Sequence, residues 1–254
     1  MADWREAIDE WLEERHGLLR EVRRRLHAHP EPSREEYLTT RFLAEEFEQA
    51  GLPRTVAPTG RGLFAGPEPD DGQPLIAFRA DIDALRIQDA KPVSYRSTRD
   101  GVMHACGHDA HTTMALGASL ALWNCRDVLP PKFGWRAIFQ PSEEVGEGAF
   151  EMIAAGAMKQ VRAVVALHVD PDSPTGRIGY RPGVLTAFCQ ELEGRDQRSR
   201  RARRRPHQSI DPIGVASQFI TSVYQFSAQV GRLARPGGRD LRLDPGGDQR
   251  QRHP

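Results

Sequence analysis

The sequence predicts an α/β fold in which helices flank a mixed sheet. Short apolar runs alternate with longer segments whose apolar residues recur at helical spacing, and this alternation is typical of sheets with helical crossovers. Hydrophobic residues make up 39% of the 254 residues, which is enough to form a core. We therefore expect a folded chain rather than a disordered one.

An amphipathic helix is predicted over residues 3–28, where tryptophans and aliphatic residues recur at helical spacing among charged ones. Pro30 follows and stops this helix. The spacing of Ser33 and Glu36 matches a capping box, in which both side chains bond N–H groups at the start of a helix. It predicts a second helix that ends near Gly51.

Three strands and two more helices are predicted further along the chain. The strands cover residues 75–80, 135–139 and 161–168, because each is a short apolar run. The helices cover residues 109–123, which are rich in Ala, Leu and Met, and residues 149–157. This order of elements supports the α/β prediction.

Charge and composition exclude several classes of partner. The formal charge is zero, from 35 basic and 35 acidic residues, so no overall field attracts nucleic acid or a membrane. No apolar run approaches membrane-spanning length, and the N-terminus is charged rather than signal-like. Three cysteines in so long a chain do not make a disulfide scaffold. We expect a cytoplasmic protein without nucleic-acid or membrane partners.

The segment from residue 104 to 111 concentrates groups that bind metal. It contains one thiol, three imidazoles and one carboxylate. Cys106 and His108 are two residues apart, so both can face one centre, and the N-terminus of the following helix favours the thiolate. We expect His104 and His111 to support the site rather than to bind the metal.

Further polar residues follow the predicted strands, where ligands gather in α/β folds. Glu143 and Glu144 are adjacent after one strand, which suggests that one binds metal and the other acts as a base. His168 ends another strand and supplies a neutral ligand. One of Asp81 and Asp83 can reach the site and orient a ligand imidazole. Together these residues predict a metal-dependent hydrolase.

Simpler interpretations apply to single residues. A lone Cys or His is more often structural, and an isolated Glu pair is usually solvated. A structural zinc site would need a second pair of ligands, and no second CxxC or HxxxH pair is present. We expect Cys125 and Cys189 to be ordinary thiols, and His27 and His29 to cap or pack at a helix end. The metal interpretation rests on the combined set.

Five segments resemble, in order, the metallopeptidase-like amidohydrolases. This family includes N-acyl-amino-acid amidohydrolases, hippurate hydrolases and auxin-conjugate hydrolases. The resemblance covers residues 11–192 and returns at 206–226. The segments are RRRLHAHPEPSREEYLTTRFL, FRADIDALRIQD, HACGHDAHTTMALGAS, FQPSEEVGEGA and ALHVDPDSPTGRIGYRPGVLTA.

The resemblance implies a reaction, its cofactors and its residues. Two divalent ions, Zn²⁺ or Mn²⁺, would assist hydrolysis of an N-acyl amino acid to a carboxylic acid and an amino acid. Glu143 would be the general base, and Asp83 would support the metal centre. The implied metal ligands are Cys106, His108, Glu144 and His168.

The resemblance also implies an architecture and an assembly. Residues 1–187 would form the N-terminal part of a zinc-peptidase-like catalytic domain, and residues 188–226 the beginning of an inserted α+β lid that mediates dimerisation. Members are usually homo-oligomeric. Residues 227–254 lack aromatic residues and apolar periodicity, so we expect a disordered, non-homologous tail.

The chain departs from the family pattern in three places. Arg86 stands where members usually have proline. Residues 194–206 contain seven arginines where members carry a Gly-Gly-His-Ala stretch. The resemblance ends at Phe226, before a further ligand histidine of the family. The alternative function is therefore an inactive remnant that binds only metal or a partner.

Two explanations of the arginine-rich segment stay open. Out-of-frame translation of GC-rich codons gives mostly Arg, Gly, Pro and Ala, so reading-frame slips would account for residues 194–205 and 227–254. On this hypothesis the chain is truncated as well as frameshifted. A basic arm that binds nucleic acid is the rival explanation.

Overall fold

The computed structural model describes residues 3–130, 134–180, 182–183, 217–219, 221–222, 225 and 241–243. The chain divides into two compact units, Met1–Asp170 and Pro171–Pro254. The first unit holds every residue of the candidate site. The predicted domain boundaries at residues 187 and 226 remain predictions.

The first unit has four α-helices, a 3₁₀ turn and five strands in its described part. Their order confirms the predicted α/β class. None of the helices described is long and apolar enough to span a membrane. The helical segments are α1 (Trp4–Ala28), α2 (Tyr37–Gln49), α3 (His108–Asn124), the 3₁₀ turn (Arg126–Val128) and α4 (Gly148–Ala154). The strands are β1 (Arg54–Val56), β2 (Leu63–Ala65), β3 (Leu75–Asp81), β4 (Trp135–Gln140) and β5 (Val161–Ala166).

The five strands form one mixed sheet in the order β1-β2-β4-β3-β5. Strand β3 is parallel to both of its neighbours, β4 and β5, whereas β1 and β2 are antiparallel additions. Because the three parallel strands run in the same direction, their carboxyl ends meet at one edge. The candidate site lies at this edge, as ligand sites commonly do in α/β folds.

The core lies between the sheet and the helices. Every residue of β4 is buried, and its Phe139 packs against Phe47 of α2 with ring centroids 5.5 Å apart. Helices α1 and α3 approach closely at Gly117, where an added Cβ would lie 3.0 Å from Leu19 of α1. Fully burying a large apolar side chain contributes about 1.5–3 kcal/mol. This packing fixes α3, whose N-terminus carries the predicted ligands.

The predicted capping box is wrong. Helix α2 begins at Tyr37, and Glu36 makes no side-chain cap hydrogen bond. Ser33 Oγ instead donates to Asp83 Oδ2 at 2.7 Å, because a buried carboxylate is available there. The carboxylate of Glu31 accepts the N–H groups of Leu38 and Thr39 at 3.0 and 2.7 Å, which satisfies the start of the helix.

The second unit contains a two-stranded antiparallel sheet in its described part. Strand β6 (Ile178–Tyr180) pairs with β7 (Leu241–Leu243). In β7 Leu241 and Leu243 alternate with Arg242 as in a strand, and the expectation of a disordered tail over residues 227–254 remains a prediction. The short described pieces between 217 and 225 are helical. The arginine run lies outside the described residues.

Candidate metal centre

The predicted site residues come together at the carboxyl edge of the parallel strands. Asp81 ends β3, the Glu143–Glu144 pair follows β4, and His168 follows β5. Cys106 and His108 lie at the start of α3. Gly107 joins these two residues with φ +87°, and an added Cβ would collide with the side chain of Val169. Glycine thus permits the turn between thiol and imidazole.

The ligand atoms form three overlapping groups of three, and within each group the atoms lie within 4.8 Å of one another. His108 belongs to all three and is buried. The groups are Cys106–His108–His168, His108–Glu143–Glu144 and Asp81–His108–His111. The geometry therefore brings together all four ligands that the resemblance implies.

The imidazole of His108 presents a lone pair to the site. Its Nδ1 donates to Asp83, whose carbonyl oxygen and Oδ1 lie at 2.9 and 3.1 Å. Nδ1 therefore carries a proton, and in the neutral imidazole Nε2 holds the lone pair. The buried Nε2 has no hydrogen-bond partner among the described residues, and Glu144 Oε1 lies 3.8 Å away. A carboxylate behind the opposite nitrogen is the usual support of a metal-binding histidine.

His168 is oriented in the same way. Its Nδ1 donates to the carbonyl oxygen of Val169 at 2.8 Å, which leaves Nε2 with the lone pair. This Nε2 lies 3.3 Å from Cys106 Sγ. The two side chains lie 62 residues apart in the sequence and meet at one point.

Asp83 connects two candidate ligands. Besides His108, its carboxylate accepts the backbone N–H of Glu144 at 3.1 Å and the hydroxyl of Ser33. Burial opposes ionisation, but the hydrogen bonds from His108 and Ser33 outweigh it and lower the pKa of Asp83. The group is therefore a stable anion at neutral pH, suited to orient the imidazole of His108.

His111 has a supporting contact. Its Nε2 accepts the backbone N–H of Val169 at 2.9 Å, so Nδ1 carries the proton and faces Asp81 Oδ2 at 3.4 Å. A protonated nitrogen cannot bind metal, so this tautomer favours support over ligation. Asp81 is also paired with Arg79.

His104 and His27 lie in the same region of the first unit. His104 is buried, and burial lowers its pKa to about 4, so the imidazole is neutral at physiological pH. His27 is buried between Asp109 at 2.8 Å and Asp89 at 3.3 Å.

The remaining histidine and cysteine predictions concern residues away from the site. His29 is the C-cap of α1, and Cys125 Sγ contacts the carbonyl oxygen of Ala7. Cys189 lies outside the described residues.

The electrostatics of the site favour a cation. Burial and the negative charge of Glu144 raise the pKa of the Cys106 thiol to about 12. Burial and the charge of Asp81 likewise raise the pKa of Glu143. A divalent cation would reverse both shifts. With the unpartnered His108 Nε2 and Glu144 Oε1, the thiol and carboxylates fit a divalent metal centre.

Sequence reasoning missed the residues behind the Glu143–Glu144 loop. Glu36 and Ser142 are fully buried and bonded to each other, and Arg61 contacts both. The spacing of Ser33 and Glu36 predicts a helix cap, and no sequence pattern singles out Ser142 or Arg61. Their partners lie 25 to 106 residues away along the chain, so no local pattern identifies them.

The comparison with known families identifies the chain. The profile described as peptidase family M20/M25/M40 matches residues 77–244, which include most of β3, all of α3, β4 and β5, and all candidate ligands. The chain belongs to this family. Its membership agrees with the resemblance derived from the five segments and accounts for the shared order of those segments.

Relatives within the M20 family include hydrolases of acylated amino acids. The N-acetyl-L-cysteine deacetylase of Bacillus subtilis is 39% identical over 206 residues, which are 80% of this chain and 48% of the relative. An IAA-amino acid hydrolase of Arabidopsis thaliana is 44% identical over 173 residues, 67% of this chain and 36% of the relative. The chain therefore spans about half the length or less of these relatives.

A solved M20 structure shares the fold. It is a Bacillus subtilis protein described as a dinuclear metal binding peptidase, with 39% identity and a TM-score of 0.60. The match covers 65% of this chain and 46% of that one. A member of the family with this degree of identity thus holds two metal ions, and the chain described here brings candidate ligands together in the same fold.

Proposed function

We propose that the protein hydrolyses the amide bond of N-acyl amino acids with the help of two divalent metal ions. The observation that carries this proposal is the convergence of Cys106, His108 and His168 on one point beside the Glu143–Glu144 pair. The names of the M20 relatives support the substrate class, since they act on N-acetyl-L-cysteine and on an amino-acid conjugate.

The proposed metal ligands are Cys106, His108, Glu144 and His168. When bound, the ions would lower the pKa of a coordinated water and polarise the amide carbonyl. A thiolate ligand suits Zn²⁺, whereas carboxylates and imidazoles also accept Mn²⁺, so both ions are candidates. Asp83 keeps His108 in the tautomer that offers Nε2, as its hydrogen bond to Nδ1 requires.

Glu143 is the proposed general base. Its carboxylate takes a proton from the attacking water and later delivers it to the nitrogen of the leaving amine, so amide and water give a carboxylic acid and a free amino acid. Its neighbour Glu144 has the separate task of binding metal.

The finer assignments complete the proposal. Residues 1–187 are assigned to the catalytic domain and 188–226 to an inserted lid, with residues 227–254 outside both. The protein would work in the cytoplasm, and the lid would mediate assembly into homo-oligomers. The substrate would be a small molecule, with no nucleic acid or membrane as partner.

The test is a hydrolysis assay on the full chain. N-acetyl amino acids and hippurate are incubated with the protein and either Zn²⁺ or Mn²⁺, and the released amino acid is measured. We expect metal-dependent release that a chelator abolishes. Metal binding by a folded sample without any release would instead favour the inactive remnant.

A further inference from the structure

We propose that Glu36 is a positioning residue whose buried carboxylate fixes the backbone of the loop that carries Glu143 and Glu144. The inference rests on the proposed function only for the roles of those two glutamates. The contact between Glu36 and Ser142 joins the start of α2 to the loop after β4, across 106 residues of sequence.

The hydrogen bonds of Glu36 are concentrated on Ser142. Glu36 Oε1 accepts both the backbone N–H of Ser142 at 2.7 Å and its hydroxyl at 3.1 Å. Both residues have a relative exposure of 0%. A buried carboxylate that receives a backbone N–H holds that peptide in place, because releasing it would leave both groups buried without partners.

Ser142 adopts a backbone conformation that requires such support. Its φ is +50°, in the left-handed region that residues other than glycine rarely enter. Ser142 directly precedes Glu143, so its conformation sets the direction in which the chain presents the catalytic pair. Without the contact to Glu36, the strained conformation would compete with more relaxed ones.

Arg61 lies beside the Glu36 carboxylate and offers it a positive partner, while burial raises the pKa of that carboxyl group. Its Nη1 lies 3.4 Å from Glu36 Oε2 and donates to Ser142 Oγ at 3.1 Å. Its Nη2 donates to both oxygens of Glu151, at 2.9 and 3.1 Å. A buried carboxylate is retained at low cost only when it is paired and hydrogen-bonded, and Arg61 supplies the pairing.

The other side of the loop is anchored by a second buried carboxylate. Asp83 Oδ2 accepts the backbone N–H of Glu144 at 3.1 Å. Glu143 therefore lies between two backbone N–H groups, at 142 and 144, that are each held by a buried carboxylate. Asp83 also orients His108, whereas Glu36 makes no side-chain hydrogen bond or ion pair to a candidate ligand side chain among the described residues. Its link to the site is the loop backbone.

Two glycines allow the loop to pack closely against its neighbours. An added Cβ at Gly62 or Gly148 would collide with Pro141, which precedes Ser142. The backbone N–H groups of Glu147 and Gly148 both donate to the carbonyl oxygen of Ser142, at 3.2 and 3.3 Å. The loop is thus closely packed in a single conformation. The contact between Glu36 and Ser142 stabilises the strained backbone of Ser142.

The test compares Glu36→Ala with Glu35→Ala as a matched control. Glu35 is the adjacent residue, and its exposed carboxylate pairs only with Arg86 and Arg99 within the described part of the chain. Hydrogen exchange of the peptide covering residues 141–147 is measured by mass spectrometry in metal-free full-length protein. We expect Glu36→Ala to accelerate exchange of this peptide about tenfold or more, with little change in peptides from β4, and Glu35→Ala to have no effect.

The same variants are then titrated with Zn²⁺ in a calorimeter. We expect Glu36→Ala to weaken binding about 10–100-fold, as the loss of groups that orient ligands typically does. Adding Ser142→Gly to Glu36→Ala should recover part of the affinity, because glycine adopts a positive φ without support. Glu36→Gln, which keeps an oxygen for the Ser142 N–H, should lose less than Glu36→Ala, and it carries the test if Glu36→Ala does not fold.

The outcomes separate this inference from the proposed function. Unchanged exchange at 141–147 in a folded Glu36 variant overturns the positioning role, and so does a uniform acceleration across the whole first unit. Loosening of the loop alone supports it, even if the wild-type chain binds no Zn²⁺. Failure of the wild-type chain to bind Zn²⁺ would refute the metal centre but would leave the role of Glu36 in shaping the loop intact.

Discussion

Asp83 holds His108 by its side chain and its backbone at once, since Nδ1 of the imidazole lies 3.1 Å from Oδ1 and 2.9 Å from the carbonyl oxygen. Asp83→Asn keeps the volume but removes the charge behind the imidazole. We expect metal affinity to fall about 10–100-fold. Calorimetric titration with Zn²⁺ measures the change, and Asp71→Asn on an exposed turn is the control. Equal affinities for the two variants would contradict the role of Asp83.

The variants Glu143→Gln and Glu144→Gln should differ sharply in which property they lose, hydrolysis or metal content. Glu143→Gln should lower hydrolysis of the best N-acyl amino acid by about 10²–10⁴-fold, because it removes the base, while metal content stays unchanged. Glu144→Gln should reduce the metal content itself. Product release and metal analysis on the same samples check both statements. Loss of metal from Glu143→Gln, or full activity in it, would argue against the division of labour.

His111 should matter through the backbone N–H of Val169. His111→Phe keeps a ring of similar size but cannot accept this N–H, which lies 2.9 Å from Nε2. We expect a loss of about 1 kcal/mol in the free energy of unfolding and weaker metal binding, since Val169 adjoins His168. Urea unfolding and metal titration provide the measurements. His16→Phe, on the exposed side of α1, is the control and should change neither quantity.

Metal should stabilise the folded chain. Binding to the folded state alone contributes about 2.7 kcal/mol when free metal is 100 times its dissociation constant. For a chain of this size the melting temperature should then rise by about 5–10 °C. Thermal unfolding with Zn²⁺, with excess chelator and with the double variant Cys106→Ser, His168→Asn checks this. A shift of the same size in the double variant would place the stabilising ion elsewhere.

Asp89 should give the stability a pH dependence below neutrality. Burial opposes its ionisation, but the N–H groups of Ser97 and Lys91 outweigh that effect and hold the pKa of Asp89 well below its ordinary value near 3.8. The folded state thus binds the proton more weakly than the unfolded state. The contribution of Asp89 is therefore complete above about pH 4 and is lost as the pH falls further.

The variant Asp89→Asn isolates this contribution. At pH 7 we expect it to lower the free energy of unfolding by at least about 1.5 kcal/mol, because hydrogen bonds to a charged group are lost. The difference from wild type should shrink as the pH falls below 4. Urea unfolding at a series of pH values measures it. If the difference in the free energy of unfolding between wild type and Asp89→Asn stays constant down to pH 3, the charge of the Asp89 carboxylate is not the source of the stabilisation.

The sequence predicts the parts of the fold that rest on local patterns. Strands β3, β4 and β5 have six or seven residues and strong apolar character, so their ends, and with them Asp81 and His168, could be located. Strands β1 and β2 have three residues each, too few for a period to appear. They are formed by pairing, β2 with β4 and β1 with β2, rather than by their own sequence.

The supporting contacts of the site could not be predicted in this way. Ser33 and Glu36 have the spacing of a capping box, yet their side chains bond residues 50 and 106 positions away. A local motif and a tertiary contact compete for the same polar groups, and here the buried partners Asp83 and Ser142 prevail. The candidate ligands Cys106 and His108 stand out in the sequence because metal-binding groups are concentrated in so short a segment, whereas the carboxylates and hydroxyls behind them are common residues.

The most direct test of the metal centre is anomalous diffraction from crystals of the full chain grown with Zn²⁺. The account predicts two peaks about 3.5–4 Å apart, one of them about 2.3 Å from Cys106 Sγ, with Nε2 of His108 and of His168 each within bonding distance of a peak. A folded protein in such crystals with no anomalous peak at these three side chains would contradict it.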